Sequence, residues 1–409
     1  MINWEKAREY AREIEERIET IHIGCFKGME KPLFLISNQY PGVWLEHVYD
    51  SIFYTTMYPQ GAAVAKNTIE AFLDRQTKLG QFPCFIWDAG RTSAPARELV
   101  GYSQIQECVS FMGLCLKFCR MTGDRELLAR CYAAGTRWVD WLKTHRMTRG
   151  TGLVEMFVGY DTGHDESGRL LGMACPGNYV LEGERMNAAV MPPEDGITPI
   201  TPVDMNANYF GTLTALANMA EALGKPAEAE GWKTEAREHK TRFIAACYEP
   251  ADGWFYDLDK FGRKRPCRSS TLLHLFLEHV LDPAADGDMV ERIYREHIKN
   301  PREFWTPYPF PAMAADDPTA RVHKPKNSWG YFSQGLIALR CTLWMDDYGW
   351  GADFDRLCER WVEAWTDCYD RLKFGQELDP FTGEPSPSSE WYSSTMLFYL
   401  YAVKRLSSK

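Results

Sequence analysis

The sequence predicts an all-α fold in which helical hairpins close into a ring, with the long connecting loops on one face. Most of the chain consists of segments whose apolar residues recur at spacings of three and four, which is the period of an amphipathic helix. These segments come in sequential pairs, joined alternately by short and long connections. No low-complexity linker divides the 409 residues, so we expect one domain over residues 1–409. A helical solenoid would share this periodicity, but no repeat of about 34 or 40 residues is visible.

The helices are assigned in chain order from apolar spacing and from start and stop signals. The first is rich in Glu, Lys, Arg and Ala. The fifth ends before Gly224, and Pro226 then stands in the first turn of the next helix. The predicted helices cover residues 2–22, 61–75, 102–121, 126–145, 205–223, 226–248, 269–280, 286–299, 331–347, 352–371 and 389–405.

Long loops rich in Gly, Pro and aromatic residues separate several of these helices. Loops of this length in a compact domain usually carry function, so we expect the site where they meet. Two short strands, at 153–158 and 254–258, would be minor elements. The long loops cover residues 24–43, 76–100, 146–203, 301–328 and 372–388.

Composition narrows the class of partner. The net charge of −10 argues against nucleic acid or an anionic membrane as the main partner. No run of 18 apolar residues suggests a spanning helix. Aromatic residues make up 13% of the chain, and 14 of them are Trp. Such a surplus suits the binding of a small carbohydrate, because the apolar face of a pyranose stacks on an aromatic ring.

The sequence also indicates a compartment. The first residues lack a basic stretch followed by an apolar core, so no secretory signal is predicted. The twelve Cys are scattered without a Cys-x-x-Cys pair, and we expect reduced thiols in a cytoplasmic protein. No Gly-x-Gly-x-x-Gly, P-loop or zincin motif occurs, so neither a cofactor nor a metal site is expected. The oligomeric state is left open.

The segment 160–169 is the most informative part of the chain. It crowds Asp161, Asp165 and Glu166 into a stretch punctuated by Gly163 and Gly168. Crowded acids raise one another's pKa, which helps a carboxylic acid to hold a proton near neutral pH. A solvated acidic loop is the alternative. A calcium loop is not supported, because the acids do not have the required spacing.

This segment resembles, without a gap, the Trp-Glu-Ser-Gly-Met-Asp-Asn-Ser-Pro-Arg motif of glycoside hydrolase family 63, in its glucosylglycerate and mannosylglycerate hydrolase branch. The motif Asp is the general acid of that family, which implies this role for Asp165. Gly168 replaces the family's Pro, and Glu166 replaces its Asn. The identical positions are Gly163, Asp165, Ser167 and Arg169, and the conservative ones are Tyr160, Asp161 and Thr162.

A second segment, 374–385, resembles the family's Glu-Tyr-Tyr-Glu-Pro-Phe-Thr-Gly-Glu-Pro, and it matches residue for residue from Pro380 onwards. The first Glu of that motif is the general base and lies four residues before the Pro, where this chain has Gln376. Glu377 follows one residue later, and a one-residue deletion near Leu378 would restore the register. We therefore predict Glu377 as the base, with Glu384 or Glu46 as the alternative. Taken alone, the residues equally suit a turn with solvated acids.

Shorter stretches extend the resemblance over most of the chain. Residues 202–207 resemble a Val-Asp-Leu-Asn-Ala motif, although Asp204 could simply cap a helix. Tyr49-Asp50 resembles a Trp-Asp pair whose carboxylate binds sugar hydroxyls. An Arg of the family's Tyr-Trp-Arg-Gly motif is absent near Trp329, which argues mildly against a glycerate aglycone. The implied substrate-binding residues are Trp44, Tyr49, Asp50, Gln104, Tyr160, Asp161, Gly163, Arg169, Asp204, Asn206, Trp329, Gln334, Glu384 and Trp391.

The resemblance implies an (α/α)6 toroid of six helical hairpins that hydrolyses a short α-linked sugar, such as an α-glucoside or a related disaccharide, with inversion. Two alternatives stay open. One is a sugar 2-epimerase-type (α/α)6 isomerase, which would need paired His residues as acid and base. The other is a catalytically inactive carbohydrate-binding relic. The Gln376 found where the family motif has its Glu supports this alternative.

Overall fold

A computed structural model describes residues 2–26, 29–37, 40, 42–88, 98–164, 167–170, 199–320, 329–387 and 390–408. Over this part of the chain the fold is helical, with a few short strands. The helices are α1 (Trp4–His22), α2 (Val48–Met57), α3 (Ala62–Asp74), α4 (Phe111–Thr122), α5 (Arg125–His145), α6 (Val203–Ala222), α7 (Pro226–Cys247), α8 (His274–Leu277), α9 (Gly287–Ile293), α10 (Gly335–Arg340), α11 (Gly351–Cys368) and α12 (Ser393–Ser407).

The even-numbered helices form the inner wall of a ring. Helix α2 packs against α4, α4 against α6, and α6 against α8. On the other side α10 packs against α12, and α12 returns to α2, which brings the C-terminal helix beside the first inner helix. Odd-numbered helices pack outside, as in the pairs α2–α3, α4–α5, α6–α7 and α11–α12. The predicted all-α toroid of helical hairpins is confirmed.

Local signals explain several helix ends. The Ser110 side chain accepts a hydrogen bond from the backbone N–H of Gly113, 3.0 Å away, and so caps the start of α4. Helix α4 ends at Gly123, which adopts the left-handed conformation at φ 72°. Asp124 follows at once and caps α5 by accepting from the N–H of Leu127 at 2.9 Å. A hairpin with a short connection results.

The short strands lie in the loops. They are β1 (Ile23–Gly24), β2 (Leu33–Phe34), β3 (Gly42–Trp44), β4 (Phe85–Asp88), β5 (Glu98–Gly101), β6 (Tyr248–Glu249), β7 (Trp254–Phe255), β8 (Ser333–Gln334) and β9 (Glu377–Leu378). All named pairs are antiparallel, and β3–β4–β5 form one three-stranded sheet.

Several sequence predictions need correction in detail, and no helix was predicted for the segment that forms α2. Helix α4 begins at Phe111 and not near 102, because β5 and an irregular segment precede it. The helix predicted at 331–347 is interrupted, since residues 333–334 form β8 before α10 begins. The strand predicted at 153–158 is reduced to one bridge between Met156 and Ile200.

The described part of the chain has one extended apolar core. Trp138 and Trp141 stack in it with ring centroids 5.1 Å apart. None of the eleven described cysteines forms a disulfide bond. Among the helices of the described residues, none is long and apolar enough to cross a membrane.

Candidate active site

A polar pocket opens where the inner helices begin. Its empty space, counted out into the open mouth, is about 470 Å³. Trp44 forms part of an aromatic wall, since its ring meets that of Tyr40 edge-on at 6.0 Å and that of Trp87 at 5.0 Å. Within the described residues, the pocket is lined by Ile36, Tyr40, Trp44, Glu46, His47, Gln106, Gly163, Trp329, Gln376 and Tyr392.

Glu46 is the one carboxylate among these described lining residues. Only 7% of its surface is exposed. Its Oε1 accepts from the Gln106 amide at 3.3 Å. The single hydrogen of the Cys108 thiol faces two acceptors, Glu46 Oε2 at 3.1 Å and the Thr162 carbonyl oxygen at 2.6 Å. The Arg340 guanidinium lies 3.5 Å from Oε2. Burial raises the pKa of Glu46, while Arg340 and the two hydrogen bonds oppose that rise.

Gly163 brings the acidic loop against this carboxylate. Its φ is +69°, a conformation that side chains rarely adopt. A Cβ at this position would lie 2.3 Å from Cys108 Sγ and 2.7 Å from Glu46 Oε2. Glycine is therefore required twice, once by the backbone turn and once by the close approach of Glu46.

Asp165 and Glu166 lie outside the described residues. Their neighbours His164 and Ser167 are both buried, with 1% of each exposed. The His164 ring stacks on Trp329 with centroids 4.4 Å apart. The two described residues that flank this segment in the chain are therefore both buried, and His164 packs on Trp329 of the pocket lining. The acid role of Asp165 stays a prediction.

The pair Gln376 and Glu377 has the orientation opposite to the one predicted. Gln376 lines the pocket, whereas Glu377 is fully buried in β9 and is not among the lining residues. The Glu377 carboxylate accepts from Gln334 Nε2 and from Ser386 Oγ, each at 2.7 Å. Successive residues of an extended segment point to opposite sides, so only one of the pair can face the pocket. The base role of Glu377 is untested by this contact pattern and stays a prediction.

Arg169 joins two carboxylates beneath the acidic loop. It is 1% exposed and forms a bidentate pair with Asp204 at 2.7 and 3.0 Å. Its Nε donates to Asp257 at 2.7 Å. The Asp257 carboxylate in turn accepts from the N–H of Val203, at the start of α6. This network anchors α6 to the loop, and the guanidinium holds the pKa of Asp204 below its ordinary value despite burial.

Asp161 and Asn206 are engaged in the scaffold. Arg146 Nη1 donates to Asp161 at 2.7 Å, and the backbone N–H groups of Ile105, Phe157 and Val158 donate to the same carboxylate. Asn206 pairs with the backbone of Val154 through both ends of its amide. Neither residue is among those that line the pocket.

Asp50 lies behind the pocket wall in the first turn of α2. It accepts from the hydroxyl of Ser393 and from that of Ser394, the latter at 2.8 Å. Burial raises its pKa to about 7. Its neighbour Tyr49 is also buried, and its hydroxyl pairs with Thr342 at 2.6 Å.

Of the remaining predicted binding residues, some line the pocket and others lie away from it. Trp44, Gly163 and Trp329 line the pocket, as does Tyr392 in place of the predicted Trp391. Gln104 is buried and donates to Gln106, one step from Glu46. Glu384 is exposed and paired with Arg371 at 2.9 Å. Tyr160 is half-buried on the acidic loop.

Sequence reasoning missed several residues at or beside the pocket: His47, Gln106, Cys108, Arg340, Gln376 and Tyr392. His47 and Tyr392 stood next to residues that were chosen, and their side chains are joined by a 2.7 Å hydrogen bond. No sequence motif marks Gln106. Its unusual backbone conformation, with a positive φ of 56°, is visible only in the structure. Arg340 looked like an ordinary charge at the end of a helix.

A family model described as the mannosylglycerate hydrolase MGH1-like glycoside hydrolase domain matches residues 61–395. No curated protein matches the chain.

Solved structures share the fold at low identity. The mannosylglycerate hydrolase of glycoside hydrolase family 63 from Thermus thermophilus, in complex with glucose, superposes with a TM-score of 0.69 at 15% identity and covers 96% of this chain and 99% of its own. The same enzyme with Tris and D-glycerate gives 0.68 at 16%, over 97% of this chain and 99% of its own. Neutral trehalase from Saccharomyces cerevisiae gives 0.66 at 13%, over 96% and 79%. These likenesses show a six-hairpin glycosidase fold.

Proposed function

Because this chain belongs to the mannosylglycerate hydrolase MGH1-like family of glycoside hydrolases, we propose that it hydrolyses a short α-linked sugar with inversion at the anomeric carbon. A recess with an aromatic wall, set among the long loops, suits a short sugar better than a polymer. The Trp44 and Trp329 rings at its wall offer apolar faces for a pyranose.

Inverting hydrolysis needs two carboxyl groups roughly 6.5–9.5 Å apart, with a water molecule on the face of the sugar opposite the leaving group. We assign the acid to Asp165, which would protonate the departing glycosidic oxygen. The base would draw a proton from water as the water oxygen bonds to the anomeric carbon. The two protonation states then reset through solvent.

We assign the base to Glu46 in place of Glu377, the residue that the motif register predicts. The observation that carries this assignment is that Glu46 is the one carboxylate among the described pocket-lining residues, while Gln376 holds the position expected of the family's base. A carboxamide can bind water but cannot accept its proton at neutral pH. Glu46 also lies against Gly163, two residues before Asp165, so the loop that carries the acid runs directly past it.

The surroundings of Glu46 suit a base. Its burial favours the protonated form and makes the ionised form more basic. Gln106 donates a hydrogen bond to Oε1, and the Cys108 thiol lies 3.1 Å from Oε2, so both sides of the carboxyl group are held in place. Burial raises the pKa of Cys108 well above its ordinary value, so this thiol stays protonated and keeps donating.

A role as an epimerase is less well supported. Epimerization of that type needs two histidines on opposite sides of the sugar. The nearest pair here, His164 and His274, is in edge-to-face contact at 5.8 Å, which leaves no room for a sugar ring between them. His274 is further engaged with Asn208 at 3.2 Å.

The experiment is a screen of α-linked disaccharides and α-glucosides with the product followed by proton NMR. We expect hydrolysis of at least one, with the β-anomer appearing first. Initial release of the α-anomer would contradict inversion. Binding without any hydrolysis would favour the carbohydrate-binding relic.

A further inference from the structure

Arg340 is a buried cation beside the pocket. It ends α10, and 4% of its surface is exposed. Its Nε, Nη1 and Nη2 atoms are all buried without a hydrogen-bond partner among the described residues. Its one ion pair in this part of the chain joins Nη2 to Oε2 of Glu46 across 3.5 Å.

This arrangement is unusual, because a guanidinium stays charged and presents five N–H donors. Buried guanidinium groups are ordinarily satisfied by several acceptors. Arg169 in the same protein shows that pattern, with two carboxylates in direct hydrogen bonds. Arg340 instead has one carboxylate of the described residues within ion-pair distance, that of Glu46.

We infer that Arg340 is a positioning residue that keeps Glu46 ionised and holds its Oε2 edge in place for proton abstraction from water. The inference rests on the proposed function, because it assigns a partner to the proposed base. It adds a residue that lies outside every motif used to recognise the family.

The other groups that face Glu46 cannot replace this charge. His47, from the turn before α2, is neutral because burial holds its pKa well below its ordinary value. Cys108, before α4, and Tyr392, before α12, are neutral donors whose pKa is raised by burial. Asp50, in α2, can only oppose ionisation of Glu46. Arg340 is thus the one fixed cation among the described groups around this carboxylate.

The geometry also separates two tasks at Glu46. Gln106 and His47 approach Oε1, at 3.3 and 3.4 Å. Cys108 and Arg340 approach Oε2, at 3.1 and 3.5 Å. Removal of Arg340 would therefore leave the orientation partly intact and mainly change the ionisation of the carboxyl group.

The test is the pH dependence of kcat/KM for Arg340→Met, which keeps the length of the side chain, and for Arg340→Lys, which keeps the charge. We expect the acidic limb to move upward in the Met variant, with at least about a tenfold loss at pH 6 that recovers at higher pH. The Lys variant should keep the wild-type limb. An unchanged limb in Arg340→Met, or a loss of equal size at every pH, would overturn the inference.

A second readout does not depend on activity. Infrared difference spectra at pH 7 should show a protonated carboxyl band in Arg340→Met that disappears in the Arg340→Met/Glu46→Gln double variant. If Arg340→Met does not fold, Arg340→Gln serves in both measurements. Absence of the band overturns the inference. A band together with full hydrolysis by Glu46→Gln would keep the Arg340–Glu46 coupling and reject Glu46 as the base.

Discussion

The side chains of Gln376 and Glu377, which are neighbours in the chain, point to opposite sides of the segment that ends in β9. Gln376 lines the pocket, whereas Glu377 is buried against Gln334 and Ser386. In the ungapped alignment with the family motif, Gln376 stands at the position of the base, and its carboxamide lines the pocket. Under the proposed function the base comes from another element, and we assign it to Glu46 before α2.

The acid assignment predicts the effect of Asp165→Asn. Turnover of a natural-type glycoside should fall by about 10²–10⁴-fold, because the leaving oxygen departs without a proton. The loss should be smaller for an aryl glycoside with a good leaving group, which needs less protonation. Steady-state kinetics on both substrates test this, and an equal loss on both would contradict the role.

The close approach at Gly163 predicts a specific defect in Gly163→Ala. Gly123→Ala is the matched control, since Gly123 has a similar positive φ and nothing within 4 Å of its missing Cβ. The control should cost about 1–2 kcal/mol in the free energy of unfolding, from the backbone alone. Gly163→Ala should cost more and should also lower kcat, because the new methyl group displaces Glu46 or Cys108. Equal losses of stability with unchanged kcat would contradict this.

The Arg169 network predicts a large loss of stability in Arg169→Met. Removal of the guanidinium leaves Asp204 and Asp257 buried without their partner, at a cost of about 3–5 kcal/mol by urea unfolding. Arg237→Met is the control, because the pair Arg237–Glu230 is exposed and screened by solvent, so its loss should leave the free energy of unfolding nearly unchanged.

The contribution of the Arg169 network to the free energy of unfolding should depend on pH. The pKa of Asp204 is lowered in the folded state, so its contribution is present above the unfolded pKa of about 4 and is lost as the pH falls below it. Wild-type stability should therefore fall more steeply on acidification than that of Arg169→Met. Parallel pH profiles of the two proteins would contradict the coupling.

Glu278 predicts a pH dependence of the opposite sign. Its carboxyl is buried against Gly211 and accepts from the N–H of Ser110 at 2.7 Å. Burial raises its pKa to about 8, so the folded state retains a proton that the unfolded chain loses near pH 4. The stabilising contribution is full below about pH 4 and is lost as the pH rises through about 8.

Replacement of this group by a neutral isostere, Glu278→Gln, should remove that slope. Relative to wild type, the variant should gain stability between pH 5 and pH 8 in urea unfolding. The exposed Glu384→Gln should show no such relative gain, and an equal gain in both variants would contradict the assignment.

The sequence predicted the ring because helix periodicity is a local property. Helices α5 and α7 begin and end within a residue or two of their predicted bounds, where Asp124 and Pro226 supply strong start signals. The segments 102–110 and 331–334 were predicted less well. Their apolar residues are buried by loops and short strands, and periodicity does not distinguish that burial from burial in a helix.

The pocket was predictable where a motif lies on the lining itself, as at Gly163 and Trp329. The sequence did not show which motif residues have side chains that are buried and hydrogen-bonded to other parts of the fold instead of lining the pocket. Asp161 accepts from Arg146, which is adjacent only in the folded chain, and Asn206 accepts from Val154 in the same way. Arg340 reaches Glu46 across most of the length of the sequence, and no spacing rule connects them.

Hydrolysis of an activated α-glycoside by Glu46→Gln and Glu377→Gln tests the central claim most directly. An activated leaving group removes the need for the acid, so the measured rate reports on the base. We predict that Glu46→Gln loses about 10²–10⁴-fold in kcat. Glu377→Gln should keep most of its activity while losing about 1–3 kcal/mol of stability, because the hydrogen bonds that the buried Glu377 side chain accepts from Gln334 and Ser386 are weakened. Loss of hydrolysis in Glu377→Gln with normal rates in Glu46→Gln would contradict the account and assign the base to Glu377.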